Sequence, residues 1–185
     1  MYAPLETHRI SSRGTFARSC RVTDIVDSAR RSRMMAGIRG KDTKPELTVR
    51  RLLHAAGLRF RLHRKDLPGH PDLVLPRYRT AVFVHGCFWH NHDCYLFKWP
   101  SSRPEFWREK LIRNRQRDLA ALNALHEGGW RTLVIWECAL KASPFKSDSE
   151  ALRNGIVEWL DGSSRHADIF SIGSRQAAPT LVSSP

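Results

Sequence analysis

The sequence is short of acidic residues and of long apolar runs, and each shortage excludes something. Asp and Glu number 18 against 31 Lys and Arg, leaving a formal net charge of +13. Such an imbalance suits a polyanionic partner, nucleic acid first. Membrane binding is the weaker alternative, because no amphipathic Lys/Arg-rich helix stands apart from the fold. No apolar stretch approaches the roughly 18 residues of a membrane span. No basic segment followed by an apolar one opens the chain, so no secretory signal is expected. Cysteine is scarce: Cys20, Cys87, Cys94 and Cys138 are the four. In a chain expected in the cytoplasm these are metal ligands or bystanders rather than disulfides. Internal repeats are absent.

What is present divides into three parts. Residues 1–27 read as a flexible basic extension, with Pro4, Gly14 and few large apolar side chains. Residues 28–161 carry the regular patterning. Residues 162–185 are rich in Ser, Gly, Ala and Pro and are expected to be a loose tail. In the middle part, Thr43-Lys44-Pro45-Glu46 reads as a capping box, followed by Val49, Leu52, Leu53 and Ala56 at helical spacing and by Gly57 as a stop. Strands are predicted over 58–63, 71–76, 81–84 and 130–136; the last three are apolar enough for burial on both faces. A basic helix is predicted from Pro104 to about Gly128, and a last helix over about 147–160. The order gives an α/β domain around a central mixed sheet.

The densest chemistry lies in His85-Gly86-Cys87-Phe88-Trp89-His90-Asn91-His92-Asp93-Cys94, with its three histidines and two cysteines. Thiolates and imidazoles are zinc ligands, and structural zinc takes four of them. Cys87, His92 and Cys94 can wrap one ion from a single loop. Cys138, just past a strand, can close the tetrahedron. The spacing is not that of a zinc finger. The alternative is buried thiols beside surface histidines, but crowding of this kind favours metal.

This partition leaves His85 and His90 free. Asp72 opens one apolar strand, and His85 follows its neighbour. Restriction-type nucleases hold Mg²⁺ on a carboxylate at such a place, since the ion needs hard oxygen ligands and activates water. The usual second carboxylate and lysine are missing, so either there is no nuclease or histidine has taken over. A neutral imidazole can accept the proton of an attacking water. Glu46 can add a carboxylate through water besides its capping role. Taken alone, Asp72 reads as an ordinary Asp at a strand start. Phe88 and Trp89 in the loop, and Phe106 and Trp107 opening the basic helix, sit among Arg103, Arg108, Lys110 and Arg113. On residue types alone, these aromatics are equally core residues or a wedge that unstacks DNA.

Together these residues closely resemble the very short patch repair (Vsr) endonuclease family. The matching stretches are Arg31-Ser32 with Met35 and Ile38; Asp42-Thr43 with Glu46; 67–74; 85–98; Phe106-Trp107 with Lys110, Asn114 and Asp118; 129–131; and 134–140. They cover about residues 28–160. The resemblance implies a restriction-endonuclease-like, three-layer α/β/α fold with structural zinc on Cys87, His92, Cys94 and Cys138. It implies a nick in one strand, 5′ of the T in a T:G mismatch left by deamination of 5-methylcytosine. Asp72 would hold catalytic Mg²⁺, His90 would be the general base, His85 a second catalytic histidine, and Glu46 would act in the outer metal shell. DNA contact is expected at Met35, Phe88, Trp89, Trp107, Lys110 and Asn114. Phe88, Trp89 and Trp107 would enter from the major groove and Met35 from the minor groove. Position 84 is Val, where the family is expected to use a main-chain oxygen. Asn91 and Asp93 are not expected to be ligands. A monomer acting on the bacterial nucleoid is expected, with mismatch-repair proteins as candidate partners.

Overall fold

A computed structural model describes residues 27, 29, 30, 33, 41–142, 149–171 and 179–184. Met35 and Cys20, and nearly all of the predicted N-terminal extension, lie outside the described residues.

Thr43 caps α1 (Lys44–Ala55), and the capping box forms as read: Glu46 N–H donates to the Thr43 hydroxyl, while the Glu46 carboxylate accepts from the Thr43 N–H. Gly57 follows with φ +74°, a left-handed value that a side chain would strain. The chain then makes β1 (Arg61–Leu62), β2 (Leu73–Leu75), a 3₁₀ turn (Pro76–Tyr78) and β3 (Thr80–His85). Next come α2 (Pro104–Glu127), β4 (Arg131–Trp136), α3 (Glu137–Lys141) and α4 (Ser149–Asp161), then β5 (His166–Ser171) and β6 (Pro179–Ser184). The six strands form one sheet in sequence order. β3, β4 and β5 run parallel, with antiparallel neighbours outside them.

The side-chain alternation of a strand sorts the core into two layers. On one face Leu73, Leu75, Val82, Leu133 and Ile135 pack with Val49 and Leu53 of α1 and Ile156 and Leu160 of α4. On the other, Val74, Ala81, Phe83 and Val134 pack with Leu125 of α2. The sheet thus carries helices on both faces. No helix among the described residues is long and apolar enough to cross a membrane.

The structure differs from the sequence reading at both edges of the sheet. The segment read as a loose tail contributes β5 and β6. β5 alternates buried and half-buried positions, and Ala167 and Ile169 join the core. Its apolar residues are Ala167, Ile169 and Phe170, diluted by His166, Asp168 and Ser171. What makes it a strand is the free edge of β4, whose N–H and C=O groups need a partner. The strand predicted over 58–63 shrinks to the exposed pair Arg61–Leu62 at the opposite edge.

Arg131 ties β4 to the end of α4. Its guanidinium donates to the carbonyls of Trp159 (2.6 Å), Leu160 (2.7 Å) and Ser164 (2.9 Å), and lies 4.2 Å from the Trp159 ring centroid. A cation on the last carbonyls of a helix is well placed. Arg131→Met is expected to lower stability by about 3 kcal/mol, read as a shifted urea midpoint at unchanged slope. A loss below about 0.5 kcal/mol would mean that water replaces these bonds at no cost.

Candidate active site and metal centre

Asp72 sits at the start of β2, and its Oδ2 accepts the Val84 N–H of β3 at 2.8 Å. Its own carbonyl accepts the His63 N–H at 3.2 Å, so one neighbour holds its side chain and the other its backbone. The loop before it lies flat on α2: a Cβ on Gly69 (φ +73°) would meet the Ala121 Cβ at 2.7 Å. Burial pushes the Asp72 carboxyl up to about 6; the Glu46 charge adds to the rise, and the Val84 N–H opposes it. Asp72 lines an open cleft of about 890 Å³ with Glu46, Val84, His85, His90 and Asp118.

Glu46 is buried at the base of this cleft and already well engaged. It accepts from the Asp42 N–H, the Thr43 N–H and hydroxyl, and the Arg50 guanidinium at 3.2 Å. The capping role and the place beside Asp72 therefore hold together, as the sequence allowed.

His85 ends β3 and is 7% exposed. His90 comes back over it, the rings parallel within 4° and 3.7 Å apart. Burial, and then the neighbouring His90 and His92, hold His85 well below the usual imidazole range, so it stays neutral. Its Nδ1 is buried without a hydrogen-bond partner. His90 Nδ1 pairs with Asp118 Oδ2 at 2.6 Å. An ionised Asp118 places the proton on Nδ1 and leaves the Nε2 lone pair free.

Asp118 belongs to the matching stretches, but the sequence alone gives it no role. The available signal was helical: Lys110, Asn114 and Asp118 repeat every four residues and share one face of α2. Asn114, one of the residues expected at DNA, donates Nδ2 to the Trp89 carbonyl at 2.8 Å and accepts from Arg117. It holds the loop after β3 against α2. Asp118→Asn is expected to lower the rate of the nick that the resemblance implies on the order of 10²-fold, because the amide favours the wrong tautomer of His90. Single-turnover rates at pH 7.5 test this, and a change under about threefold would remove Asp118 from the chemistry.

The second centre lies behind the first. The sulfurs of Cys87, Cys94 and Cys138 lie within 4.8 Å of one another. α3 presents Cys138, whose N–H donates to the Cys87 sulfur at 3.3 Å; the Ser171 N–H of β5 donates to Cys138 at 3.4 Å. Tyr95 hydroxyl donates to the Cys138 carbonyl at 2.9 Å. His92 stacks on Trp136 at 4.1 Å. Its Nε2 is buried and makes no hydrogen bond, yet it is near enough to Cys138 to help Cys87 hold that thiol low. Three clustered sulfurs and an orphaned imidazole nitrogen fit a metal of zinc's preferences, with these four residues as donors.

The aromatics meet beside the cleft. Phe88 contacts Trp89 (5.1 Å) and Trp107 (5.2 Å), and the two indoles are 6.1 Å apart. Lys110 Nζ lies 5.5 Å from Trp89 and 5.3 Å from Trp107, in cation–π range. All three rings are half-buried.

The family model described as "DNA mismatch endonuclease Vsr" matches residues 23–96. The chain is 45% identical over 152 residues to DNA mismatch endonuclease Vsr of Escherichia coli, covering 82% of this chain and 97% of that protein. It is 47% identical over 142 residues to the type II nicking enzyme V.XorIIP of Xanthomonas oryzae pv. oryzae, covering 77% and 100%. With the type II nicking enzyme V.HpaIIP of Haemophilus parainfluenzae it shares 35% over 135 residues, covering 72% and 95%. Identity at this level across nearly the whole of these relatives means that the chain belongs to the Vsr family of DNA mismatch endonucleases.

Proposed function

We propose that this enzyme nicks one strand of duplex DNA 5′ of the T in T:G mismatches, the lesion left when 5-methylcytosine deaminates. The observation that carries the reading is the Asp118–His90–His85 array set across one cleft from Asp72. A binding protein needs no such array, which speaks against a zinc-stabilised, non-catalytic module. The layered sheet supports reading the fold as restriction-endonuclease-like.

Asp72 would hold Mg²⁺, with Glu46 acting from its outer shell. When bound, the ion supplies charge for the phosphate and acidifies water. Asp118 holds Nδ1–H of His90, so that Nε2 takes the proton of the attacking water. His85, kept neutral under His90, lets the pair carry one proton rather than two, since two stacked cations would repel. Cys87, His92, Cys94 and Cys138 would hold structural zinc, fixing the loop that carries His90. Phe88, Trp89 and Trp107 would enter the base stack, with Lys110 among the phosphates. Met35 would enter from the opposite groove.

A second reading keeps the chemistry and changes the sequence context. Identity to the type II nicking enzyme V.XorIIP is as high as to the Escherichia coli enzyme, so overall likeness does not choose between their sequence contexts. Both readings meet one test. End-labelled duplexes carrying T:G or matched C:G in several contexts are incubated with the protein and Mg²⁺. A nick 5′ of the T in the mismatched duplex only is expected, and its context dependence chooses between the readings. Cleavage of matched DNA would overturn mismatch specificity, and binding without a nick would overturn the catalytic assignment.

A further inference from the structure

The aromatic cluster does not end at the three rings read as a wedge. Phe88 faces Phe97 at 6.3 Å, and Phe97 meets Trp99 edge-on at 5.1 Å. On the other side Phe106 meets Trp107 at 5.3 Å. Trp99 is 51% exposed and Phe106 39%, and they are the aromatic members among the exposed large hydrophobic residues described. Each carries a cation: Arg108 lies 6.0 Å from the Trp99 centroid, Arg103 4.5 Å and Lys110 5.8 Å from that of Phe106. Leaving an indole half in water forgoes burial, and exposed apolar surface of this kind marks a contact site. Guanidinium groups beside exposed rings, on a chain of net charge +13, complement a nucleic acid, whose phosphates are anionic and whose bases offer flat apolar faces. A phosphate polymer without bases would use the cations and leave the rings unused.

We propose that Trp99 is a further DNA-binding residue: it packs on a base or sugar of the duplex beside the mismatch once Phe88, Trp89 and Trp107 have opened the stack, while Arg108 meets the adjacent phosphate. The inference rests on the wedge reading above. Because the Trp99 contact forms on opened DNA, it adds to mismatch selectivity rather than to general affinity. Phe106, held between Arg103 and Lys110, extends the same surface along α2.

The test is fluorescence anisotropy with fluorescein-labelled 20-base-pair duplexes, T:G and matched C:G, without added Mg²⁺. Trp99→Ala is expected to weaken T:G binding about tenfold and matched binding less than twofold, in line with the loss of one stacked ring. Trp99→Phe should recover most of the affinity. Val182→Ala, an equally exposed apolar position on β6, should change neither. Thermal melting confirms that each variant is folded, and Trp99→Gln is a second truncation if the first is not. Unchanged T:G affinity, or equal losses on both duplexes, would overturn the proposal. Trp89→Ala separates it from its premise. If that variant keeps the T:G preference, the wedge reading fails; if it loses the preference while Trp99→Ala does not, only the Trp99 inference fails.

Discussion

Asp72→Asn is expected to lower nicking by at least about 10³-fold while making the protein more stable at neutral pH. The first effect follows from chemistry: the amide cannot supply the anionic oxygen that Mg²⁺ prefers, and metal-dependent phosphate chemistry loses several kcal/mol of charge stabilisation without the ion. The second follows from burial. The folded carboxyl is pushed up to about 6 from an ordinary 3.8, so the folded protein binds the proton more tightly than the unfolded chain does. Stability therefore falls as pH rises from about 4 through 6, and above that the ionised group costs about 3 kcal/mol. Asparagine removes this cost and retains an oxygen for the Val84 N–H. Opposite changes in activity and melting temperature at pH 7.5 are the signature, because a merely misfolded variant loses both. The same raised carboxyl sets a pH dependence: below about 6, protons compete with the metal, and the Mg²⁺ needed for half-maximal rate should climb up to tenfold per pH unit. A variant that nicks at the parent rate would show that Asp72 is not the metal carboxylate.

Cys138→Ser is expected to act through folding instead. Structural zinc contributes on the order of 10 kcal/mol, comparable to the whole stability of a domain. Cys138 joins two parts of the molecule: its N–H reaches Cys87, and its sulfur accepts from Ser171 of β5. Without the metal, His90 and the rings at Phe88 and Trp89 lose the loop that positions them. The parent protein should contain about one zinc by atomic emission, and Cys138→Ser should lose it together with cooperative unfolding and nicking. Co²⁺ substitution should give the intense tetrahedral thiolate spectrum in the parent and not in the variant. A folded, active and zinc-free parent would remove the Cys87, His92, Cys94 and Cys138 assignment.

The two tests differ because the centres were legible to different degrees. The crowded segment from His85 to Cys94 pointed to metal by residue type alone, and the structure gathers the Cys87, Cys94 and Cys138 sulfurs in one cluster. Asp72 carried little signal by itself, since an Asp at a strand start is common; the cleft that gathers Glu46, His85, His90 and Asp118 around it is what distinguishes it. Asp118 was invisible as a partner. Nothing local to α2 says that a residue 28 positions away will bring an imidazole to 2.6 Å.

By itself the sequence determined α1, through a capping box and Gly57, and α2, through Pro104 and the Gly128-Gly129 stop. It determined the three buried strands as well. Each of these is written in neighbours a few residues apart, where backbone sterics and burial periodicity act. The tertiary structure decided the rest. It made strands of the segments after residue 165, because β4 offered an unpaired edge. It turned α3 so that Cys138 reaches Cys87 across 51 residues, and it stacked His85 on His90. These outcomes depend on register and on packing between distant segments, which no local pattern encodes.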